Sequence, residues 1–163
     1  MKRQGGTVSV APAQRRFPVF QAPFDESYAI DLGELENQIE WLFDNGAEGV
    51  VFEMVSEVLR LWTSEREELA GKACSLVADR GLVVVSATAE STQAAVALAR
   101  QAEDVSASAE ICTLPVSSPP LDDDSLRHFE QIVTRTSISV VVQLCGLRCP
   151  GVTRRPAGAF ANR

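Results

Sequence analysis

The chain has 163 residues, 45% of them hydrophobic, and a formal net charge of −7. That length builds one domain with a real core, and that composition excludes a disordered chain. No apolar run approaches the roughly 20 residues that span a bilayer, and the acidic balance argues against a nucleic-acid-binding surface.

The charge is unevenly spread. Residues 1–16 carry four Lys/Arg and no acid, residues 144–163 carry four Arg and no acid, and residues 17–143 hold seven Lys/Arg against 22 acids. The opening MKRQGGTVSVAPAQRR is basic but lacks a following apolar stretch, so it reads as a flexible leader over 1–16 and not as a signal peptide.

From Phe17 onward, strand-like and helix-like segments alternate. FPVF at 17–20 is the first apolar run. A helix follows in which Leu32, Leu35, Ile39, Leu42 and Phe43 make one stripe. Asp31 stands at its N-cap with Glu34 as capping-box partner, and Gly46 stands where a left-handed residue ends a helix. GVVF at 49–52 is the second run. The next helix is expected to begin at Ser64, with Glu67 as box partner and Leu69, Ala73, Leu76 and Val77 as its stripe, ahead of Gly81.

LVVV at 82–85 is the third run. The Ala-rich helix behind it aligns Ala95, Leu98, Ala99 and Ala102, small residues that let it lie close to a sheet. Glu90 and Ser91 at its start read as capping residues. AEICTL at 109–114 is the fourth run, and a helix starting in the acidic stretch Asp122–Asp124 follows. Its expected buried face is Leu126, Phe129, Ile132 and Val133, with His128 at the surface or half-buried. ISVVV at 138–142 is the fifth run.

The run starts are 32, 33, 27 and 29 residues apart, the spacing of a repeated strand–helix unit. The runs are continuous, as in strands covered on both faces. The alternation implies a parallel sheet with right-handed crossovers. Two α/β architectures fit: a doubly wound open sheet, or the first five strands of a (β/α)8 barrel, whose full form needs about 250 residues. On the second reading 17–143 is a truncated, partial barrel.

Beyond Gln143, the stretch LCGLRCPGVTRRPAGAFANR has no period and no acid. Residues 144–163 therefore read as an irregular basic tail, such as a lost reading frame produces.

The four cysteines, Cys74, Cys112, Cys145 and Cys149, make no disulfide framework. Cys74 and Cys112 fall in helix and strand patterns and are expected as small core residues. Cys145 and Cys149, with a single histidine in the chain, are too few for a metal site. A reduced, cytoplasmic protein without metal or cofactor is expected. A dinucleotide site needs a glycine-rich first turn, and here that turn is APFDESYAID. Glu53 and Glu57 are a possible acid–base pair, and Arg60 and Arg66 could meet an anionic substrate, although ion pairs with Glu65, Glu67 or Glu68 are the simpler account.

Several segments together resemble the dihydrodipicolinate synthase/N-acetylneuraminate lyase family of class I aldolases. PVFQAPFDESYAIDLGELENQIEWLFDNGAEGVV is similar to its first strand, its "TPF" turn, its first helix and its glycine-containing approach to the second strand. Ser56-Glu57, Leu61 and Ser64-Glu65-Arg66 resemble "GE…L…EER". ATAESTQAAVALAR over Ala87–Arg100 resembles the third-strand exit and the helix after it. Pro115 and Leu126-Arg127-His128-Phe129 resemble the fourth-strand proline and the "l..hf" helix.

The resemblance, over about 17–143, implies a barrel and lyase chemistry on a pyruvate-like 2-oxo acid. A lysine would form the imine, a tyrosine would relay protons and a threonine pair would hold the carboxylate. Met54 and Val55 stand at the threonine positions and Val116 at a tyrosine position. Ser56 and Glu57 remain as candidate substrate-binding residues, with Ser56 able to replace a threonine hydroxyl and Glu57 read in the family as fixing the loop.

The lysine belongs to a sixth strand. Lys2 lies in the leader and Lys72 inside the second helix, so no catalytic residue is assigned and the chain is expected to be inactive alone. The sole tyrosine, Tyr28, falls in the first turn. The alternative is a non-catalytic half-barrel that pairs with another chain, or with its own copies, through open sheet edges. A weaker third is a small-molecule binder using the strand-end turns.

Overall fold

The computed structural model describes residues 15–53, 58–117 and 121–143. Over these the order is α1 (Leu32–Asp44), β1 (Gly49–Phe52), α2 (Thr63–Val77), β2 (Leu82–Ser86), α3 (Thr92–Asp104), β3 (Ala109–Cys112), α4 (Asp122–Val133) and β4 (Ser139–Val142), with a short 3-10 turn at Ala78–Arg80. The strands form one sheet in the order β1-β2-β3-β4, and every pairing is parallel. These four strands are the second to fifth expected runs.

The first run is shorter than expected but stands in its expected place: it pairs in parallel with β1 through one bridge, Val19 to Val51. The Phe20 N–H donates to the Val51 carbonyl at 3.1 Å, and the Val51 N–H donates to the Pro18 carbonyl at 2.9 Å. Pro18 has no N–H with which to continue the ladder.

α1 forms for the expected reasons. Asp31 accepts from the N–H groups of Gly33 and Glu34, while Gly46 takes φ +84° after the helix. Glu34 does not close a capping box; it accepts from Asn37. α2 begins earlier than expected, with Trp62 as its N-cap. The Trp62 N–H donates to the Glu65 carboxylate at 2.7 Å, so Glu65 takes the place expected of Glu67. Ser91 caps α3 at Ala94.

The buried face of α4 differs from expectation. Phe129 and Ile132 are buried, but Leu126 and Val133 are 38% and 44% exposed, while Ser125 and His128 are buried. Hydrogen-bonding partners decide this rotation: His128 Nδ1 lies 3.0 Å from the Thr92 hydroxyl at the start of α3.

One core packs Phe20, Val50, Phe52, Val83 and Val85 of the sheet against Leu35, Ile39, Leu69, Ala73 and Val77 of α1 and α2. A second places Cys112 and Leu114 against Ala95, Leu98, Ala99, Phe129 and Ile132 of α3 and α4. Each large buried aliphatic side chain contributes about 1.5–3 kcal/mol. Cys74 and Cys112 are free, the second fully buried. On the other face of the sheet, Val51, Val84 and Ile111 are half-buried and Val141 is exposed.

Gly49 sets how closely β1 approaches β2. A Cβ there would stand 2.3 Å from the Leu82 carbonyl and 2.8 Å from the Phe17 ring. Gly49→Ala is expected to destabilise by about 1–3 kcal/mol. Gly71→Ala, inside α2 with nothing nearer than Val105 at 3.8 Å, is expected to stabilise by about 0.5–1 kcal/mol. Urea unfolding of both variants measures the difference; equal effects would contradict the close approach.

Candidate functional site at the strand ends

In a parallel β/α sheet the chemistry gathers where the strands end. Here Glu53 follows β1, Thr88 lies two residues beyond β2 and Thr113 directly follows β3. All three are buried, at 2%, 1% and 1% exposure. The Thr88 hydroxyl donates to the Glu53 carboxylate at 3.2 Å. It also accepts from the Thr113 backbone N–H at 3.2 Å. The Thr113 hydroxyl donates to the Leu114 carbonyl at 3.0 Å. The row is thus a hydrogen-bonded chain across three strands.

Arg66 of α2 reaches over this row. Its Nη1 donates to the Thr88 carbonyl at 3.0 Å and its Nη2 to the Ser86 carbonyl at 2.8 Å. Burial pulls its pKa down to about 10, and the Glu53 carboxylate opposes that fall. The group therefore stays charged at neutral pH. Instead of pairing with Glu65, Glu67 or Glu68, this arginine satisfies two strand-end carbonyls and balances a buried carboxylate. Sequence reading missed this because its partners lie 20 and 22 residues away on the backbone.

Two clefts flank the row. One of about 310 Å³ lies between α3 and α4, with Thr92, His128 and Gln131 among its walls. Burial lowers the pKa of His128, and the Thr113 backbone opposes the shift. The other, of about 330 Å³, runs from Val58 to α3 and is walled by Arg66, Leu61 and Leu98. Among the described residues, no group of three His, Cys, Asp or Glu side chains stands ready to hold a metal ion.

The residues singled out by sequence are scattered. Ser56 and Glu57, and with them Met54 and Val55, lie outside the described residues. Val116 is 44% exposed, and its N–H donates to Glu90 at 3.1 Å. Glu90 thus holds the loop after β3 and caps nothing. Tyr28 is 84% exposed in a turn organised by Asp25, which accepts from Ser27 and Ala29. Those bonds, from the Ser27 side chain first, hold the Asp25 carboxyl below its usual range. Arg60 is exposed. Lys72 is on the outer layer, 3.8 Å from Glu36 of α1.

Glu110 drew no attention in the sequence. It sits in β3 with no exposure, and burial, with Glu103 nearby, pushes its pKa up to about 7. The one available signal was an acid inside an apolar run.

Arg66→Met removes both carbonyl bonds and the positive charge facing Glu53. The expected loss is about 3–5 kcal/mol, with Arg66→Lys intermediate because an ammonium lacks the planar fork. Denaturant midpoints test this, and a loss within about 0.5 kcal/mol, as at an ordinary surface site, would refute the role.

Comparison with known proteins places the arrangement. The model of the dihydrodipicolinate synthetase family matches residues 13–148. The chain is 30% identical over 127 residues to 4-hydroxy-tetrahydrodipicolinate synthase of Methanococcus aeolicus, covering 77% of this chain and 44% of that protein. It is 32% identical over 121 residues to an uncharacterized DapA-like lyase of Pyrococcus abyssi, covering 74% and 40%. Among solved structures, the 4-hydroxy-tetrahydrodipicolinate synthase of Methylacidiphilum fumariolicum SolV superposes with a TM-score of 0.75 at 25% identity, over 79% of this chain and 43% of that one. The chain thus spans less than half the length of these relatives, and its four-stranded parallel sheet is the leading part of a (β/α)8 barrel. A family model that covers most of the chain, and with it the sheet and helices described above, makes it a member of the dihydrodipicolinate synthetase family.

Proposed function

We propose that the chain carries the leading strand–helix units of a lyase-type barrel for a pyruvate-like 2-oxo acid, and that by itself it does not form the imine on which that chemistry rests. Imine formation needs an unprotonated amine next to the keto carbon, at the strand ends where barrel chemistry occurs. The observation that carries the reading is the place of Lys72. It is the sole lysine among the described residues, and its ammonium pairs with Glu36 on the outer helical layer. Lys2, the other lysine of the sequence, lies outside the described residues.

The row Glu53, Thr88 and Thr113 supplies polarity at the strand ends, linked by its own hydrogen bonds and faced by the charge of Arg66. In a complete site the amine would come from strands other than these. Ser56 remains the proposed contact to the substrate carboxylate, and Glu57 the second candidate substrate-binding residue, fixing the loop. Incubation of the 163-residue chain with pyruvate and borohydride, read by intact mass, tests the claim. No covalent adduct is expected; a stoichiometric adduct would overturn it.

A second reading is a non-catalytic half-barrel that pairs with another chain. It is favoured by β4, which is hydrogen-bonded to β3 on one side and whose Val141 and Val142 are 44% and 38% exposed. Such an edge is a template for strand addition. Size-exclusion chromatography with light scattering is expected to show association that grows with concentration. A monomer at every concentration would count against pairing between copies.

A further inference from the structure

Glu110 takes no part in the proposed imine chemistry, yet it is the most anomalous side chain of the sheet. It lies in the middle of β3, registered with Val85 on β2 and Val140 on β4. It is 0% exposed, and among the described residues neither carboxylate oxygen has a hydrogen-bond partner. A carboxylate cannot stay ionised in such a place without large cost. It must either keep its proton or gain water.

The charged surroundings push the same way. Glu103, from α3, is the acid whose field reaches it, and Glu103 itself accepts from the Ser137 hydroxyl in the turn before β4. On its own strand the titratable neighbour is Cys112, whose thiol feels both Glu110 and Glu53 and is pushed up, mainly by burial, to about 12. From β2 and β4 the registered neighbours are valines. The buried titratable group of α4 is His128, whose ring is bound to Thr92 on α3.

If water must enter, the weakest wall yields. β1 and β2 are tied by the Arg66, Glu53 and Thr88 bonds. Among the described residues β4 is a terminal strand of the sheet, with Ser139, Val141 and Val142 exposed. Local opening follows such gradients of burial.

We propose that Glu110 is a pH-sensitive latch on the last strand: protonated, it stays sealed between β3, β4 and α3, and ionised, it opens β4 and the 134–138 turn so that water reaches the carboxylate. The proton passes to solvent, and no other group changes charge.

The sign follows from linkage. A carboxyl raised from 4.5 to about 7 in the closed form binds its proton more tightly closed than open. The stabilisation is full below about pH 4.5, is lost as pH rises towards 7 and is constant above that. His128 acts in the opposite sense, because its lowered pKa gives stability that is present above about 6.5 and lost as pH falls.

Hydrogen exchange of the full chain, read by mass spectrometry between pH 5 and 8 and corrected for the intrinsic rate, tests the latch. The opening constant of amides in 138–143 is expected to rise by up to tenfold per pH unit and level off near 7, while amides in 49–52 stay flat. Glu110→Gln is expected to abolish the rise. Glu103→Gln, which leaves Glu110 in place, is expected to shrink it and bring the plateau to lower pH. A pH-independent opening in the unmodified chain, or an unchanged rise in both variants, would overturn the proposal.

Discussion

The guanidinium of Arg66 holds together the part of the molecule where chemistry belongs. At the ends of parallel strands the backbone carbonyls run out of ladder partners, and a buried carbonyl without a donor is costly. Arg66 answers two of them at once, on Ser86 and Thr88. The planar fork suits this better than any other side chain. The charge it brings must itself be balanced, and Glu53 does that from the end of β1. Thr88 then joins carboxylate and backbone across to Thr113. α2 and three strand ends are fixed by this one arrangement, and Arg66 also walls the cleft that runs from Val58 to α3.

Much of the fold is legible in the sequence because it follows from local period and from spacing. The stripe of α1, its Asp31 cap and its Gly46 stop need only neighbours along the chain. The spacing of the strand runs implies the parallel sheet before any contact is known. What fails is what depends on distant partners. Pro18 shortens the first expected strand to one bridge, in its expected parallel place. Glu65 reaches back to Trp62 and moves the start of α2. His128 finds Thr92, 36 residues away, and rotates α4 so that Leu126 and Val133 face outward. Apolar period alone cannot foresee a helix turned by a hydrogen bond.

The site was legible in a different way. Reading by resemblance drew attention to the loop after β1 and to what Met54, Val55 and Val116 lack. The geometry of the described residues lies elsewhere, in Glu53, Arg66, Thr88 and Thr113. Arg66 had been weighed for an anionic substrate and for ion pairs with nearby acids, because sequence separation hides backbone acceptors. Glu53 had been weighed only as half of an acid–base pair with Glu57. Its bond to Thr88 and the facing charge of Arg66 assign it first to holding the strand ends.

Glu53 and Glu110 show why burial alone does not define the state of a carboxyl group. Glu53 directly follows β1, Glu110 lies within β3, and both are almost fully enclosed, at 2% and 0% exposure. Glu53 has a hydroxyl donor and a guanidinium facing it. Glu110 has valines beside it in register and another acid as its charged neighbour. Compensation at the first position rigidifies the joined ends of β1, β2 and β3. Its absence at the second leaves a group that keeps its place only while it keeps its proton. The two also differ in what surrounds them: the compensated carboxylate follows β1 and faces the Arg66 fork, and the uncompensated one lies in β3, beside the terminal strand β4. A sheet built this way resists opening where its functional end is assembled and yields first at its margin, where fewer contacts are lost.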